Sequence, residues 1–503
     1  MAFVVFTNGY SQEIKEEVAY NQIALKGTVF DAKDQLGLPY VNIVILKYKK
    51  GTITNEKGFF SLAFKGLKKT DTIRFQYIGY KSKNISVEQL LRSSDVLLEE
   101  DIFNMNEVFV LNKKIDPKDI VKSVLKNREE NYKIQPRKEQ LFLRRKFIDD
   151  LEKLDIECEK STIEDFDEEM VNIFQEKVPK QTISYDDFLG FVYSKKNEEG
   201  KKVIKIDPIK KVKLKSKEIA EMKQFETLFE RLIKDTSEKE YWKVKSGVFG
   251  KKIDNKHLSE KDSTEVKEKQ HKNNDKRETN NIIDLRNSIK QLSTFSTFED
   301  KERWEFLYKT NSYTYNMEGG TSMNGEDVYV IDFVPKKRGL YEGRLYISIK
   351  TFALIRADYK FAPSKQGKGF HLLGFSQVHT HFSGSIYFEK KEGNYVLKYF
   401  SYKNIETFGL ERNFALQKKK NRFLFDKKLQ EIKIDLKLKV KSEESIEYLV
   451  MDGEKISNNE FDAFIQKKGM KVIAVDQFDK DLWKGYAIIE PTKQMKEYKK
   501  ISD

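Results

Sequence analysis

Residues 431–441 read EIKIDLKLKVK, and this stretch decides the fold class of the larger part of the chain. Aliphatic side chains hold every second position, and charged side chains hold the positions between them. A period of two residues is typical of a β-strand with one buried and one solvated face. We expect the aliphatic face to lie against a packed core rather than a ligand cavity, because a helix predicted at 459–468 is available to cover it. The aliphatic residues are Ile432, Ile434, Leu436, Leu438 and Val440.

The same rhythm recurs through residues 284–503 and predicts a large, curved, antiparallel sheet. Turn segments at 336–339, 348–351 and 392–394 separate the runs, and short connections of this kind join antiparallel neighbours. The chain is therefore predicted to be mainly β, of the α+β class, and its C-terminal domain is predicted to end in a helix. The strand-like runs are residues 328–334, 341–349, 352–361, 383–389 and 395–402.

Residues 22–110 show a second β pattern with shorter strands. Apolar side chains alternate with other residues from Ile23 to Val29, and the alternation returns three times before residue 78. Gly, Pro, Asn and Asp punctuate the runs, which is the rhythm of a β-sandwich. Gly58 and Gly79 stand at chain reversals, where a positive φ is often needed.

Four segments of this region form a series of strand and turn motifs: GTVFD at 27–31, PYVNI at 39–43, GTITNEKGFF at 51–60 and FQYIGY at 75–80. Together they resemble the carboxypeptidase-like regulatory domain. The resemblance implies a transthyretin-like β-sandwich at 22–110, closed by a last strand at 105–110, in an envelope protein of a two-membrane bacterium. Asn55 stands where Asp is more usual before the Gly-Phe turn, and both residues suit a turn. The resemblance implies a docking or stability module without catalysis.

The segments before and after this sandwich differ in sequence pattern. Residues 1–21 are predicted to be a signal-peptide remnant and an N-terminal tail, because an apolar run is followed by small residues ahead of Gln12. Residues 111–250 are predicted to be a helical and mixed α/β segment. Within it, Asp116 and Pro117 begin a helix, and residues 218–234 carry apolar side chains at helical spacing.

Residues 251–283 are predicted to be a polar, disordered insertion ahead of the β-rich domain at 284–503. Between Asp254 and Asn281 the only large apolar side chains are Leu258 and Val266. Such a stretch cannot bury enough apolar surface to offset the entropy of ordering it.

Charge and composition exclude several classes of partner. Lys and Arg number 94 against 80 Asp and Glu, so the formal charge of +14 is a dispersed excess. Without a recognition motif, this charge predicts no nucleic-acid partner. No stretch reaches the roughly 18–20 apolar residues that span a bilayer as a helix, so we predict no transmembrane segment. Cys158 is the only cysteine and cannot form an intramolecular disulfide.

Residues 257–260 fit a His-x-x-Glu zinc motif, and with the later His381 they are reminiscent of zinc carboxypeptidases. We reject this interpretation because His257 and Glu260 open the least foldable segment, whereas a zinc site needs ligands fixed on ordered elements. A zinc carboxypeptidase-type hydrolase stays the alternative function, and measuring bound metal tests it.

Other candidate residues also fall short of a site. His379 and His381 are predicted to share one face of a strand, which provides two metal ligands without a third. Glu157 and Glu159 flank Cys158 and are expected to raise its thiol pKa. No phosphate loop, nucleophile elbow or dinucleotide fingerprint occurs. We therefore assign no catalytic, cofactor-binding or metal residues, and predict no cofactor.

These observations predict a non-enzymatic cell-envelope protein, periplasmic or associated with the outer membrane. The sandwich would dock or stabilise the larger sheet, and that sheet would bind an envelope protein, a peptide or an apolar ligand. Residues 341–347 and 352–359 resemble the curved sheets of lipoprotein carriers, which hold acyl chains in a half-open barrel. A carrier of an apolar acyl ligand is therefore a further alternative.

Overall fold

A computed structural model describes most of the chain. The described residues are 23–64, 66–103, 115–164, 166–214, 237, 239–247, 249–253, 281–323, 325–422, 425–484, 486 and 488–498. Four predictions fall outside them: the signal-peptide remnant at 1–21, the last sandwich strand at 105–110, the helix at 218–234, and the insertion between residues 254 and 280. The described residues are mainly β, as predicted.

The chain divides into two compact units. The smaller unit comprises residues 1–77, 82–99 and 480–490. The larger unit comprises residues 78–81, 100–479 and 491–503. The smaller unit is therefore built from stretches at both ends of the chain.

The described part of the smaller unit contains two sheets, one short α-helix and the 3₁₀ turn Lys480–Trp483, and its two sheets confirm the predicted β architecture. One sheet has the order β4-β1-β7 and the other has the order β3-β2-β5-β6. The helix α1 (Val87–Arg92) has a Ser86 capping box and was not predicted. The strands are β1 (Ile23–Asp31), β2 (Asn42–Ile45), β3 (Lys50–Ile53), β4 (Phe59–Phe64), β5 (Thr72–Gln76), β6 (Lys83–Ser86) and β7 (Asp95–Leu98).

The turn before β4 shows why the sequence needs glycine there. Gly58 has a φ of +82°, and a Cβ at this position would lie 2.7 Å from the carbonyl oxygen of Val29. Only glycine combines a positive φ with so close an approach of a neighbouring backbone. Gly79 also has a positive φ, of +87°. Both glycines therefore have the backbone conformation that the sequence predicted.

Residues 480–490 complete the smaller unit through hydrogen bonds to its β3–β4 turn. The Thr52 hydroxyl donates to the carbonyl of Ile488 at 3.2 Å, and the Asn55 amide donates to the carbonyl of Glu490 at 3.1 Å. The Asn55 side chain is buried, and its oxygen accepts the backbone N–H of Phe59 at 3.1 Å. A sequence-distant segment therefore belongs to this unit, whereas the sequence assigned it to the C-terminal domain.

The larger unit is organised around one 14-stranded sheet. Its main path is β13-β14-β15-β16-β18-β19-β20-β8-β9-β10-β21, with β11, β12 and β17 at the side. All pairings are antiparallel except the parallel pair β10–β21. The strands are β8 (Arg137–Ser161), β9 (Gln181–Lys196), β10 (Lys202–Leu214), β11 (Glu240–Ser246), β12 (Phe249–Ile253), β13 (Tyr313–Met323), β14 (Glu326–Pro335), β15 (Tyr341–Ser348), β16 (Leu354–Phe361), β17 (Gly369–Leu372), β18 (Phe375–Lys391), β19 (Asn394–Lys420), β20 (Lys427–Lys455) and β21 (Val472–Val475).

The meander predicted after residue 284 is present, and the segment at 111–250 supplies further strands to the same sheet. Strand β8 pairs with β20 along nearly its whole length, so strands from both segments lie side by side. The β18–β19 turn at Glu392 and Gly393 has positive φ at both residues, as a two-residue hairpin turn requires. The predicted insertion at 251–283 begins in β12 and ends in helix at residues 281–283.

Short helices cover part of this sheet. In α2 the Asp116 carboxylate caps the helix by accepting the N–H of Lys118 at 2.9 Å, with Pro117 at the first position. The described helices are α2 (Pro117–Lys126), α3 (Arg128–Asn131), α4 (Glu168–Lys177), a helix at residues 281–293, α5 (Glu305–Tyr308), α6 (Asn458–Ala463) and α7 (Lys493–Glu497), with 3₁₀ turns at Thr294–Thr297, Thr310–Ser312 and Lys480–Trp483.

The core beneath these helices is rich in aromatic rings. Trp304 is fully buried, and its ring centroid lies 4.8 Å from that of Phe298, 5.6 Å from Phe306 and 5.7 Å from Tyr359. Phe306 stacks on Phe333 with centroids 4.5 Å apart. Rings packed at these distances fill the space between the sheet and its helices.

The other face of the sheet buries an ion pair. Arg144 on β8 donates two hydrogen bonds to Asp187 on β9, at 2.9 and 2.8 Å, and its guanidinium lies 3.7 Å from the carboxylate of Glu447 on β20. The side chains of Arg144 and Asp187 are only 5% and 1% exposed. Burial raises the pKa of Asp187, and the charge of Arg144 opposes that rise.

Candidate functional site: an apolar face on the long strands

The strands β8, β19 and β20 extend well past the aromatic core. On β20, the even-numbered residues face that core, and Ile446 and Tyr448 are buried there. Further toward the start of β20 the same face continues through Leu438 and Leu436, which are only half-buried. One face of the sheet therefore passes from a packed core to a more open apolar surface.

Strand register places apolar side chains side by side across this surface, which we call the apolar face. One row runs Leu372, Phe375, Leu410, Leu438 and Leu154 across five strands. Paired residues in neighbouring strands lie about 5 Å apart on one face, so each row is continuous. The neighbouring rows contain Phe408, Val440 and Leu151, then Leu436 and Ile156, then Phe414, Ile434 and Cys158.

The opposite face of the same strands is charged. Lys437 on β20 lies 3.6 Å from Asp155, and Lys439 lies 2.7 Å from Glu152. The alternation at 431–441 thus separates an apolar face from an ionic one, as predicted. The expected packed core is present only at Ile432, because Leu436 and the residues on either side of it stay half-buried.

The helix that was expected to cover this face lies elsewhere. The ring of Phe461 in α6 is 5.0 Å from the Nζ of Lys195 on β9 and 4.7 Å from that of Lys205 on β10. Instead, α4 covers the far end, where Val171 and Trp242 pack around Ile432. Ile156, Ile434 and Cys158 of the apolar face pack against this cluster, whereas Leu436, Leu438 and Val440 do not belong to it.

One cation lies within the apolar face. Arg412 pairs with Leu436 in the β19–β20 register, and its Nη2 donates to the Ser246 carbonyl at 3.1 Å. Its guanidinium carbon lies 5.2 Å from the ring centroid of Phe375. Within the described part of the chain no carboxylate forms an ion pair with Arg412. Its charge is therefore available to an anionic group resting on the face.

The end of the sheet beyond this face is fixed by a buried carboxylate. Glu431 accepts hydrogen bonds from Lys428 and Gln417, each at 2.6 Å, and its side chain is 2% exposed. The hydrogen bond from Lys428 is the main reason that the Glu431 pKa falls to about 2, although burial opposes the fall.

This depressed pKa predicts acid sensitivity. The unfolded chain binds the Glu431 proton near pH 4.5, whereas the folded chain resists binding it until about pH 2. The stabilisation is therefore complete above pH 4.5 and is lost as the pH falls through this window. We expect the free energy of unfolding of Glu431→Gln to decrease less steeply between pH 4.5 and pH 2 than that of the unchanged protein. Urea titrations at several pH values measure this free energy. Glu454→Gln, at a 70% exposed side chain, is the control; equal acid slopes in both variants would contradict the assignment.

A separate cavity of ≈ 180 Å³ lies beside the aromatic core. Its wall includes Arg137, Glu139, Lys202 and Tyr395. Burial lowers the pKa of Lys202, and the charge of Glu139 opposes that shift. The cavity is smaller than the roughly 300–1,000 Å³ typical of ligand sites, so the apolar face is the stronger candidate.

The structure separates the two histidines that the sequence placed on one face. A bulge at residue 380 lets His379 pair with Glu406 and His381 with Ile405, so adjacent β19 residues oppose them and the rings lie on opposite faces. His379 Nδ1 is 3.1 Å from the Glu406 carboxylate. Burial, followed by the charge of Lys403, lowers the pKa of His381.

Among the described residues, no cluster of catalytic or metal-binding side chains surrounds the remaining candidates. Burial is the main cause that raises the Cys158 thiol pKa, followed by the charges of Glu168 and Asp167. The direction agrees with the prediction, but the cause differs. His257 and Glu260 lie outside the described residues, so the absence of zinc stays a prediction. Among described residues, no group of three or more His, Cys, Asp and Glu could hold a metal ion.

A segment near the start of the chain matches a known family. The family model for the CarboxypepD_reg-like domain matches residues 25–110. Residues 25–110 are similar to a CarboxypepD_reg-like domain. The resemblance seen in the sequence is therefore confirmed for this segment. The CarboxypepD_reg-like domain accounts for the N-terminal β-strands and leaves the apolar face outside the match.

Comparisons with solved structures gave only weak likenesses. A LolA superfamily protein of Nitrosomonas europaea is 8% identical over 69% of this chain and 98% of its own, with a TM-score of 0.16. The MucA/MucB complex of Pseudomonas aeruginosa is 7% identical over 64% and 94%, with a TM-score of 0.16. A DUF1329 family protein of Desulfovibrio piger is 10% identical over 69% and 98%, with a TM-score of 0.18. Scores this low support no argument about fold or function.

A comparison with curated proteins was negative. No curated protein matches the chain at a significant level. Among the helices of the described residues, none is long and apolar enough to cross a bilayer.

Proposed function

We propose that the protein is a non-catalytic binding protein of the cell envelope that holds an amphiphile on its apolar face. The ligand has an aliphatic chain and an anionic head group. The single observation that carries this proposal is the set of continuous apolar rows around Arg412, a cation without a described carboxylate partner. The envelope location is supported by the CarboxypepD_reg-like domain at residues 25–110, since that resemblance implies an envelope protein.

The chemistry of the face favours an aliphatic chain over a peptide. Its central rows offer methyl and methylene groups from Leu436, Leu438 and Val440, which make dispersion contacts but no hydrogen bonds. A peptide would bury backbone polar groups there without partners, at a cost of several kcal/mol. Arg412 provides a charge-assisted hydrogen bond for a carboxylate or phosphate head group. The face thus matches both ends of an amphiphile.

A non-catalytic role is supported by the surroundings of the reactive side chains. His379 and His381 point to opposite faces of the sheet, and burial raises the Cys158 pKa, which disfavours its thiolate. A scaffold that binds an envelope protein is the broader form of the same proposal. Arg412, which forms no ion pair with a carboxylate of the described residues, favours the amphiphile.

Binding of a fluorescent fatty acid tests the proposal. We expect saturable binding by the full chain and its loss in Leu436→Glu, because a carboxylate on the face repels the head group and disrupts the apolar rows. Lys437→Gln, one residue away on the ionic face, should bind as the unchanged protein does. Circular dichroism establishes that each variant is folded. Undiminished binding by folded Leu436→Glu would overturn the proposal.

Arg412 is tested separately with two probes. Arg412→Met should weaken binding of the fatty acid by about 10–100-fold, the typical value of a hydrogen bond to a charged group. It should leave binding of the uncharged methyl ester nearly unchanged. If both probes lose the same affinity, Arg412 shapes the face rather than binding the head group.

A further inference from the structure

Two β-hairpins meet end to end beside β19. Strand β18 pairs with β19 as far as Phe375 and Leu410, and β11 pairs with β19 from Ser246 and Phe414 onward. Only residues 411–413 of β19 separate the two pairings. Arg412 spans this gap, since its Nη2 bonds the Ser246 carbonyl and its guanidinium lies near the Phe375 ring. The tips of both hairpins are therefore held at one place on the edge of the sheet.

The tip of the β17–β18 hairpin carries a residue that its turn disfavours. Leu373 and Gly374 form a two-residue turn with φ values of 51° and 80°. Such turns prefer Asn, Asp or Gly at both positions, because a branched side chain at positive φ costs roughly 1–2 kcal/mol. Leu373 is nevertheless 59% exposed. An apolar side chain that is both strained and exposed points to a role outside the fold.

Other apolar side chains at the two tips are exposed as well. Leu372 is 64% exposed, Phe370 52% and Phe249 58%. The β17 strand is exposed at all four of its residues. With Leu373, these side chains form what we call the tip patch. Single exposed apolar residues are common, but a cluster of large ones at adjoining hairpin tips marks an interaction site.

The tip patch is bordered by cations. Four lysines lie on β11 and β12, where no Asp or Glu occurs between Tyr241 and Ile253. By strand register Lys251 shares the face of Phe249, whereas Lys243, Lys245 and Lys252 lie on the other face of the hairpin. Arg412 adds a fifth positive charge between the tips. The acidic residue nearest along the chain, Glu411, belongs to the opposite face, where it pairs in register with Lys437. The patch therefore combines exposed Phe and Leu with a local excess of positive charge.

We propose that the tip patch docks the protein onto an anionic phospholipid surface. Large apolar side chains at projecting tips enter the interface between head groups and acyl chains, and neighbouring Lys and Arg attract anionic lipids. A second protein is a poorer fit, because a stable protein interface buries about 800 Å² on each partner. Four apolar side chains at two hairpin tips provide less than that. This proposal does not depend on ligand binding at the apolar face.

Co-sedimentation of the full chain with vesicles tests the docking. We expect binding to vesicles of phosphatidylcholine with about one third phosphatidylglycerol, weaker binding to pure phosphatidylcholine, and release at high salt. Leu373→Asn should reduce the partition coefficient by about tenfold or more. Because Asn suits a positive φ, this variant keeps or gains stability, so a loss of binding cannot come from unfolding. Leu373 lies in the turn and outside the apolar rows, so fatty-acid binding should persist.

Two more variants separate charge from apolar contact. Lys251→Glu should reduce binding to the anionic vesicles by roughly fivefold or more, with little change on neutral vesicles. Ile465→Ser, at an 86% exposed side chain away from the tips, should bind as the unchanged protein does. Equal binding by Leu373→Asn and the unchanged protein would overturn the proposal. So would self-association that Leu373→Asn abolishes, since the patch would then join two copies of this chain.

Discussion

Arg144→Met is expected to lower the free energy of unfolding by about 3–5 kcal/mol. The substitution keeps much of the side-chain volume but leaves the carboxylate of Asp187, which is only 1% exposed, without its two hydrogen bonds. The buried charge must then be neutralised by a proton or exposed to water, and either change costs free energy. Urea-induced unfolding followed by tryptophan fluorescence measures the loss.

The double variant Arg144→Met, Asp187→Leu is the critical control. The double variant removes the unpaired Asp187 carboxylate, while the 3.7 Å ion pair of Arg144 with Glu447 is lost in both variants, so the double variant should recover the part of the stability that depends on Asp187. Lys437→Met breaks a more exposed ion pair and should cost less than about 1 kcal/mol. A double variant no more stable than Arg144→Met would show that packing around Arg144, rather than its charge, stabilises the sheet.

Trp304→Ala is expected to destabilise the larger unit by about 3–5 kcal/mol. The indole is fully buried and contacts three aromatic neighbours, so its removal leaves a large void between sheet and helices. The shift of the denaturant midpoint gives the change in the free energy of unfolding, provided that the m-value is unchanged.

Trp304→Phe separates ring packing from the polar group of the indole. The indole Nε1 is buried and donates to no acceptor among the described residues. Phenylalanine removes this unsatisfied donor, which offsets part of the packing loss. The cost should therefore be well below that of alanine. If Trp304→Phe and Trp304→Ala lowered the free energy of unfolding by similar amounts, ring packing would not be what stabilises the core.

The sequence carries enough information to predict the strands of this fold. Period-two alternation at 431–441 identifies β20 and its apolar face, and Glu392 with Gly393 marks a hairpin turn. These signals are local, because each depends on neighbouring residues in one strand or one turn. The same locality explains why the match at residues 25–110 could be recognised from short segments.

The candidate site depends on information that no single segment contains. Arg412 becomes part of the apolar face only through its register with Leu436, and register between distant strands is invisible in one of them. The bulge at residue 380 separates His379 from His381, although their spacing predicts one face. Sequence spacing therefore identifies an apolar strand face but not the cation on it.

Asn55 stands where Asp is more usual, and the structure shows what its side-chain amide does. In the sequence, Asn and Asp are equivalent turn residues. In the folded protein the Asn55 amide donates a hydrogen bond to the carbonyl of Glu490, and a carboxylate has no proton to donate. Glu490 is distant from Asn55 in the sequence, so the residues around position 55 do not indicate this hydrogen bond.

The position of residues 480–490 also sets an order of events during synthesis. The smaller unit contains both its first strands and this late segment, so it cannot be completed until residues 480–490 have left the ribosome. Bringing the two stretches together across residues 100–479 costs about 5 kcal/mol of chain entropy if the intervening chain is unfolded. Compaction of the larger unit removes much of that cost. The strands that are made first therefore wait for a segment that is made much later.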